Sequence, residues 1–168
     1  KTGALIGVAG CVAQIERQAL LRKRPYVDFV VGPDNYLEIP AIVGRAAAGP
    51  CLEIGRRRDW KEFRSGQTLR DSPATAFVTV MEGCDNFCAY RGVPFSRGRE
   101  KFRPLRNVLG EVRDVADAGY REVQLLGQNV NAYQSPNGRQ ADFADLLRAV
   151  EQVPSLARVR YTTSHPRD

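Results

Sequence analysis

The chain has 168 residues, with 25 lysines and arginines against 19 acidic residues and a formal net charge of +6. A composition that is 43% hydrophobic and 26% charged is typical of a globular protein and argues against wholesale disorder. The longest nearly apolar stretch, residues 4–13, is interrupted by glycines and is shorter than the roughly 18 residues of a membrane helix. We therefore expect no membrane span, and no secretory signal is visible. The positive charge permits a polyanionic partner such as RNA without requiring one.

The first part of the chain, residues 1–48, alternates apolar runs with helical spacing. The runs at 5–9 and 27–31 predict two strands, and the spacing between them predicts one helix that ends before Pro25. A further short helix is expected over 40–48, with proline at its first position. This order favours a βαβ arrangement with a parallel sheet.

The second part of the chain repeats this alternation after a break. Residues 49–73 are rich in glycine, proline, serine and charge, so we expect a linker there. From 74 to 168, helical segments separate three predicted strands, at 76–81, 123–126 and 157–162. Long loops follow these strands, which suits the first half of a β/α barrel, where such loops build the active site. A doubly wound sheet fits the same periodicity and is the alternative.

Two of the four cysteines, Cys84 and Cys88, lie in the loop after the first strand of the second part. In a chain without a secretion signal, close-spaced cysteines indicate metal or redox ligands rather than disulfides. Thiolates on one short loop can hold a soft metal or an iron–sulfur cluster, whereas zinc is less favoured because a second cysteine pair is missing. Two small buried side chains are the alternative that the spacing leaves open.

Four motifs carry a resemblance to one enzyme family. They are GCVAQ at 10–14, EGCDNFCAY at 82–90, LGQNVNAY at 126–133 and TSHPRD at 163–168. The second motif resembles the cluster loop of radical S-adenosylmethionine enzymes, whose pattern is C-x3-C-x-aromatic-C. The set is most similar to the methylthiotransferases, in particular to the branch that acts on tRNA. Since an initiator methionine is also missing, the chain is identified as an internal fragment of such a protein.

The resemblance implies a fold and a reaction. The fold is the end of an N-terminal α/β methylthiotransferase domain (1–48), a linker (49–73) and the first half of a radical S-adenosylmethionine β/α barrel (74–168). The reaction is cytoplasmic methylthiolation of C2 of N6-isopentenyladenosine at position 37 of tRNA, by a radical that side chains alone cannot generate. Implied cofactors are S-adenosyl-L-methionine and two 4Fe-4S clusters, one or none of them in this chain. Implied partners are the tRNA anticodon stem-loop and an electron donor such as a flavodoxin or ferredoxin. The loop 127–133 disfavours a sister enzyme acting on ribosomal protein or on threonylcarbamoyladenosine in tRNA.

Three cysteines correspond to cluster ligands of the family. Cys84 and Cys88 match the first two ligands of the radical cluster. Cys11 matches the last of three cysteines that hold the second cluster, the other two being expected upstream of this chain. Arg91 stands where the family has the third ligand of the radical cluster. Because arginine stays protonated and offers no lone pair to iron, we expect that cluster to be labile or absent. A non-catalytic RNA-binding relative is therefore an alternative function.

The remaining candidate residues lie on the same loops. Tyr90 matches an aromatic position expected near the adenine of the cofactor. Gln128 and Asn129 follow the second strand of the predicted barrel, at the end where cofactor contacts occur. His165, the only histidine, follows the third strand and is expected to be structural rather than catalytic. Basic residues beside the cysteine loop suit RNA contact, with solvated surface charge as the alternative. These residues are Arg97, Arg99, Lys101 and Arg103.

Overall fold

The computed structural model describes residues 3–60, 68–70, 74–136 and 141–167. The chain divides into two compact units, the first made of Lys1–Asp59 with Asp85–Arg99 and the second of Trp60–Cys84 with Glu100–Asp168. Each unit contains a parallel sheet, so the predicted mixed α/β class is confirmed. Within the described ranges, no helix is long and apolar enough to cross a membrane.

The first unit is a three-stranded parallel sheet with helices between its strands. Its elements are β1 (Gly7–Ala9), α1 (Cys11–Glu16), α2 (Gln18–Lys23), β2 (Phe29–Val31), a 3₁₀ helix (Pro33–Glu38), α3 (Ile39–Ala46), β3 (Cys51–Glu53) and α4 (Val93–Ser96). The strands pair in chain order, β1 with β2 and β2 with β3. Ala13, Val27 and Val30 form the buried core between sheet and helices. The predicted βαβ arrangement is confirmed.

Several features of this unit differ from the sequence prediction. The one helix expected between the first two strands is broken into α1 and α2, because Arg17 adopts a left-handed φ of 50° at the junction. The expected linker 49–73 begins with a strand instead, since the N–H of Cys51 donates to Asp28 O over 2.9 Å and β3 joins the sheet. β3 lacks the apolar run that located β1 and β2, because it follows Gly49-Pro50 and ends on the charged Glu53. The linker positions 61–67 and 71–73 lie outside the described residues.

The first unit also includes a segment from later in the chain. The segment Asp85–Arg99, which by sequence belongs to the loop after the first strand of the second part, is a portion of the first unit. Its short helix α4 packs against α1. Contacts between residues so far apart in the chain leave no local pattern in the sequence.

The second unit holds a three-stranded parallel sheet and a small antiparallel one. Its elements are β4 (Thr75–Thr79), β5 (Met81–Glu82), β6 (Lys101–Phe102), α5 (Leu105–Asp117), β7 (Glu122–Leu126), a 3₁₀ helix (Val130–Ala132), α6 (Phe143–Glu151) and β8 (Arg158–Tyr161). The central strand β7 pairs in parallel with β4 on one side and β8 on the other. β5 pairs antiparallel with β6. The three strands predicted for this part are confirmed.

In the core of the second unit, the strands of the parallel sheet pack against the helices α5 and α6. Apolar residues at helical spacing cover one face of α5 and of α6. The fully buried members of this core include Val108, Val112, Leu146, Val150, Val78, Val123 and Leu125. Because β4, β7 and β8 are parallel neighbours, their carboxyl ends lie at one edge of the sheet. The loops that carry the predicted site residues of this unit start from that edge.

Candidate functional site

The predicted cluster cysteines belong to both units. Cys84 follows β5 in the second unit and is 5% exposed. Cys11 is the first residue of α1, and both Cys11 and Cys88 belong to the first unit and are partly buried. None of the four cysteines, all within the described ranges, forms a disulfide. The role of these thiols as cluster ligands stays a prediction.

Arg91 stands where the family resemblance predicts the third cluster ligand. The residues 88–91 form a turn in which Arg91 N–H donates to Cys88 O over 3.3 Å, and the Arg91 side chain is half-buried. A guanidinium has no lone pair to give to iron. Among the residues that the structure describes, no group of three or more His, Cys, Asp or Glu side chains is arranged to hold a metal ion. A cluster held by three thiolates therefore does not fit this chain as it stands.

The loop after β7 is tied to the backbone that leads to Cys84. Gln128 Oε1 accepts a hydrogen bond of 2.7 Å from Gly83 N–H. In return, Met81 Sδ accepts hydrogen bonds from the backbone N–H groups of Gln128 (3.2 Å) and Asn129 (3.4 Å). The close approach requires glycine at 127, because a Cβ there would lie 2.6 Å from Met81 Cγ and 2.7 Å from its sulfur. Hydrogen bonds in both directions thus join the loop after β7 to the segment that leads to Cys84.

The same loop is also tied to the segment after β8. Asn131 Nδ2 donates to His165 O over 2.7 Å, and His165 N–H donates to Asn131 Oδ1 over 2.9 Å. The His165 ring accepts a hydrogen bond at Nδ1 from Arg167 N–H over 3.2 Å. These bonds indicate a structural role for His165. The loop on the central strand therefore links the carboxyl ends of all three parallel strands.

The three residues predicted to contact the cofactor have different surroundings. Asn129 is fully buried, and its Nδ2 donates to Glu100 Oε1 over 3.4 Å. Gln128 is half-buried, and its side-chain oxygen accepts the hydrogen bond from Gly83 N–H. Tyr90 is exposed on the turn of the first unit. Contact of these three with S-adenosylmethionine stays a prediction, and for Asn129 it requires its surroundings to move.

Two of the four predicted RNA-binding residues are in the first unit and reach solvent. The exposed side chain of Arg99 forms an ion pair with Asp85, with its Nη2 at 2.7 Å and its Nε at 3.2 Å from Oδ2. Arg97 is half-buried at the end of α4. Three aromatic side chains of the same segment, Phe87, Tyr90 and Phe95, are exposed. A surface of arginines and aromatic rings suits contact with phosphates and stacking on bases.

The other two predicted RNA-binding residues, Lys101 and Arg103, are only 7% and 6% exposed. Lys101 Nζ lies 3.8 Å from Glu82 Oε2, across the β5–β6 pair, and Arg103 Nη1 binds Glu111 Oε2. Both cations point into the second unit and are paired there, unlike the exposed surface that the prediction expects, and their contact with RNA stays a prediction. Tyr133 O–H donates to Arg103 O over 2.7 Å, and burial raises the pKa of this tyrosine.

Sequence reasoning missed the buried ion-pair network around Glu111. This carboxylate lies on α5 and also binds Arg70, with 2.5 Å between Arg70 Nη2 and Oε1. The Arg103 guanidinium lies over the Trp60 ring, 6.0 Å from its centroid. One signal was available, because Glu111 lies one helical turn from Val108 and from Val115, which belong to the apolar face of α5. A buried carboxylate requires cationic partners, but the sequence does not say which arginines supply them.

Comparison with known proteins finds curated proteins that are similar to this chain over nearly its whole length. No family model matches the chain. The curated relatives include proteins of Solibacter usitatus (46% identical over 99% of the chain), Anaeromyxobacter dehalogenans (50% over 100%) and Agrobacterium fabrum (45% over 98%). Each of the three is named tRNA-2-methylthio-N(6)-dimethylallyladenosine synthase. The chain spans 36–38% of the length of these three relatives.

Proposed function

Since this chain belongs to the family of the tRNA-2-methylthio-N(6)-dimethylallyladenosine synthases, we propose that its full-length protein is a tRNA methylthiotransferase of the cytoplasm. The observation that carries the proposal is 45–50% identity over nearly the whole chain. The proposed reaction places a methylthio group on C2 of N6-isopentenyladenosine at position 37 of tRNA. In the family, S-adenosylmethionine and 4Fe-4S clusters supply the radical chemistry, with electrons from a flavodoxin or ferredoxin.

The architecture of the second unit supports this proposal. Strands β4, β7 and β8 are parallel and pair in chain order, with α5 and α6 on the connections between them. This is the strand order of the opening half of a β/α barrel, and we propose that fold for the unit. The predicted residues Cys84, Gln128 and Asn129 then follow strand ends, where barrel enzymes bind substrates and cofactors.

The surface of the segment Asp85–Arg99 supports tRNA as the partner. Phe87 and Phe95 are exposed and meet edge to face, with ring centroids 5.9 Å apart. Apolar rings exposed beside arginines are suited to stacking on unpaired bases, such as those of an anticodon loop. We propose that Arg97 and Arg99 contact the phosphates of that loop. Exchange of Phe87 and Phe95 for alanine should weaken tRNA binding by about 1–3 kcal/mol per stacked base.

A second function is favoured by Arg91. With only Cys84 and Cys88 as thiolates in the family pattern, the radical cluster lacks a ligand. A relative that binds tRNA without modifying it would need no cluster. Such a non-catalytic relative and an active enzyme would share the RNA-binding surface, so RNA binding does not distinguish them. Iron content and product formation do.

The full-length protein that contains this chain should be purified without oxygen and given S-adenosylmethionine, a reductant and tRNA carrying N6-isopentenyladenosine. Mass spectrometry of the digested nucleosides detects the methylthio product, and tRNA without the isopentenyl group is the control. Product from the protein as it stands supports the enzymatic proposal. Product from the Arg91→Cys variant alone supports the family's reaction and assigns the natural chain the non-catalytic function. Product from neither protein, when both bind the tRNA, would falsify the proposed activity.

A further inference from the structure

We propose that Gln128 is a positioning residue that holds the backbone carrying the Cys84 thiol. The inference relies on the proposed function in one respect only, which is that Cys84 is a functional thiol. The resemblance alone suggested a different role for Gln128, direct contact with the cofactor. The hydrogen bond to Gly83 N–H is the observation that assigns the positioning role.

The backbone before Cys84 needs such an anchor. Gly83 adopts a φ of 81°, a left-handed conformation that turns the chain sharply and that favours glycine. Gly83 and Cys84 are both buried, so a Gly83 N–H without an acceptor would stay unsatisfied away from water. Gln128 Oε1 supplies that acceptor at 2.7 Å. The anchor therefore acts on the residue directly before the thiol.

Gln128 is itself held in place. Its backbone N–H donates to the sulfur of Met81, a fully buried side chain of β5, over 3.2 Å. The preceding residue, Gly127, leaves room for that sulfur. On the strand side, Val80 N–H donates to Leu126 O over 2.9 Å and continues the pairing of β4 with β7. The acceptor for Gly83 is thus fixed before any ligand binds.

Two substitutions at Gln128 distinguish the effect of its acceptor oxygen from the effect of side-chain size. Gln128→Met keeps the length of the side chain and removes the acceptor, whereas Gln128→Glu keeps an acceptor oxygen. Gln124→Met makes the same exchange at a half-buried position on β7 and is the matched control. All are made in this 168-residue chain with Cys11, Cys51 and Cys88 changed to serine, so that Cys84 is its one thiol.

The first readouts need no cluster. Hydrogen exchange of the Gly83 amide by NMR, and the rate of Cys84 alkylation by iodoacetamide, report the backbone and the thiol. We expect Gln128→Met to raise both rates about fivefold, the factor for one typical hydrogen bond. Gln128→Glu and Gln124→Met should stay close to the parent. The proposal is overturned if Gln128→Met changes neither rate, or if it raises exchange equally at every amide of β7, which indicates general destabilisation.

A second readout links the position of Cys84 to ligand binding. Iron bound after anaerobic reconstitution is compared in the Arg91→Cys variant with and without Gln128→Met, the other cysteines being natural. We expect the added Gln128→Met change to lower bound iron severalfold. Equal iron in both proteins overturns the link between Gln128 and the ligand. If Arg91→Cys binds no iron at all, the cluster of the proposed function fails, while the exchange and alkylation rates still decide the role of Gln128.

Discussion

Asn131 and His165 exchange two hydrogen bonds, one from Asn131 Nδ2 to His165 O (2.7 Å) and one from His165 N–H to Asn131 Oδ1 (2.9 Å). Beside them, Val130 N–H donates to Thr163 O over 2.9 Å. One side chain therefore satisfies both backbone groups of a residue 34 positions away. This closes the segment after β8 onto the loop after β7.

Removal of this side-chain amide should destabilise the protein. Asn131→Leu leaves a donor and an acceptor of the His165 backbone without their partner and should lower the free energy of unfolding by about 1–3 kcal/mol. Asn131→Asp keeps the acceptor and loses the donor, so its loss should be smaller. Urea denaturation measures both changes, and equal losses for the two variants would contradict the paired arrangement.

The glycines at 127 and 110 should respond to alanine in opposite ways. A Cβ at Gly127 would lie 2.6 Å from Met81 Cγ, so Gly127→Ala should destabilise by about 1–3 kcal/mol through overpacking. Gly110 lies inside α5 with nothing within 4 Å of an added Cβ. Gly110→Ala should therefore stabilise by about 0.5–1 kcal/mol through helix propensity. Thermal and urea unfolding of the two variants check the signs, and a loss of stability in Gly110→Ala would count against this packing of α5.

The carboxylate of Glu111 should be the most sensitive charge in the second unit. It binds both Arg70 and Arg103 in a buried network, so Glu111→Gln leaves two arginines without their anion. We expect a loss of about 3–5 kcal/mol, the usual cost of breaking a buried ion pair. Glu151→Gln, at an exposed position of α6, is the control and should change stability little. A comparable loss of stability in both variants would show that the buried ion pairs of Glu111 contribute no more than an exposed charge does.

Stability should also depend on pH through Glu122. A hydrogen bond from Arg158 holds the pKa of Glu122 below its ordinary value of 4.5, with Arg160 adding a favourable charge. A lowered pKa in the folded state gives stability that is present above the ordinary pKa and is lost as the pH falls through the folded value. Glu122→Gln should therefore be less stable than the parent at pH 7, and the difference should shrink on acidification. Urea unfolding at a series of pH values tests this, and a difference independent of pH would contradict it.

Iron content should reveal the effect of Arg91 directly. After anaerobic reconstitution with iron and sulfide, Arg91→Cys should hold a cluster with about four irons and its visible absorption, because it restores the third thiolate. The natural chain should hold less iron, and so should Arg91→Ser, which removes the positive charge without adding a thiolate. If the natural chain binds as much iron as Arg91→Cys, another ligand replaces the missing cysteine. If neither binds iron while both stay folded, the assignment of Cys84 and Cys88 as ligands is wrong.

Local patterns located part of the regular structure of this protein. Hydrophobic runs located the strands that became β1, β2, β4, β7 and β8, because a buried strand must be apolar along several residues. The same reasoning failed at Arg17, where a left-handed φ splits one helix, and at β3, where three residues join a sheet. Arginine is not a residue type that marks a left-handed φ, and β3 lacks the apolar run that marked the other strands.

The sequence by itself predicted the α/β class and supplied the four motifs that carry the resemblance and the arginine at position 91, since each depends on residue type and order alone. Only the tertiary structure decided what the polar side chains of the candidate residues touch. Lys101 and Arg103 were expected on an RNA-binding surface and are buried in ion pairs, and the oxygen of Gln128 is bonded to Gly83, 45 residues away. Burial and hydrogen bonding depend on segments that are distant in the chain and neighbours only in the fold. For that reason the resemblance of the motifs identified most of the candidate residues, and only the folded structure assigned their partners.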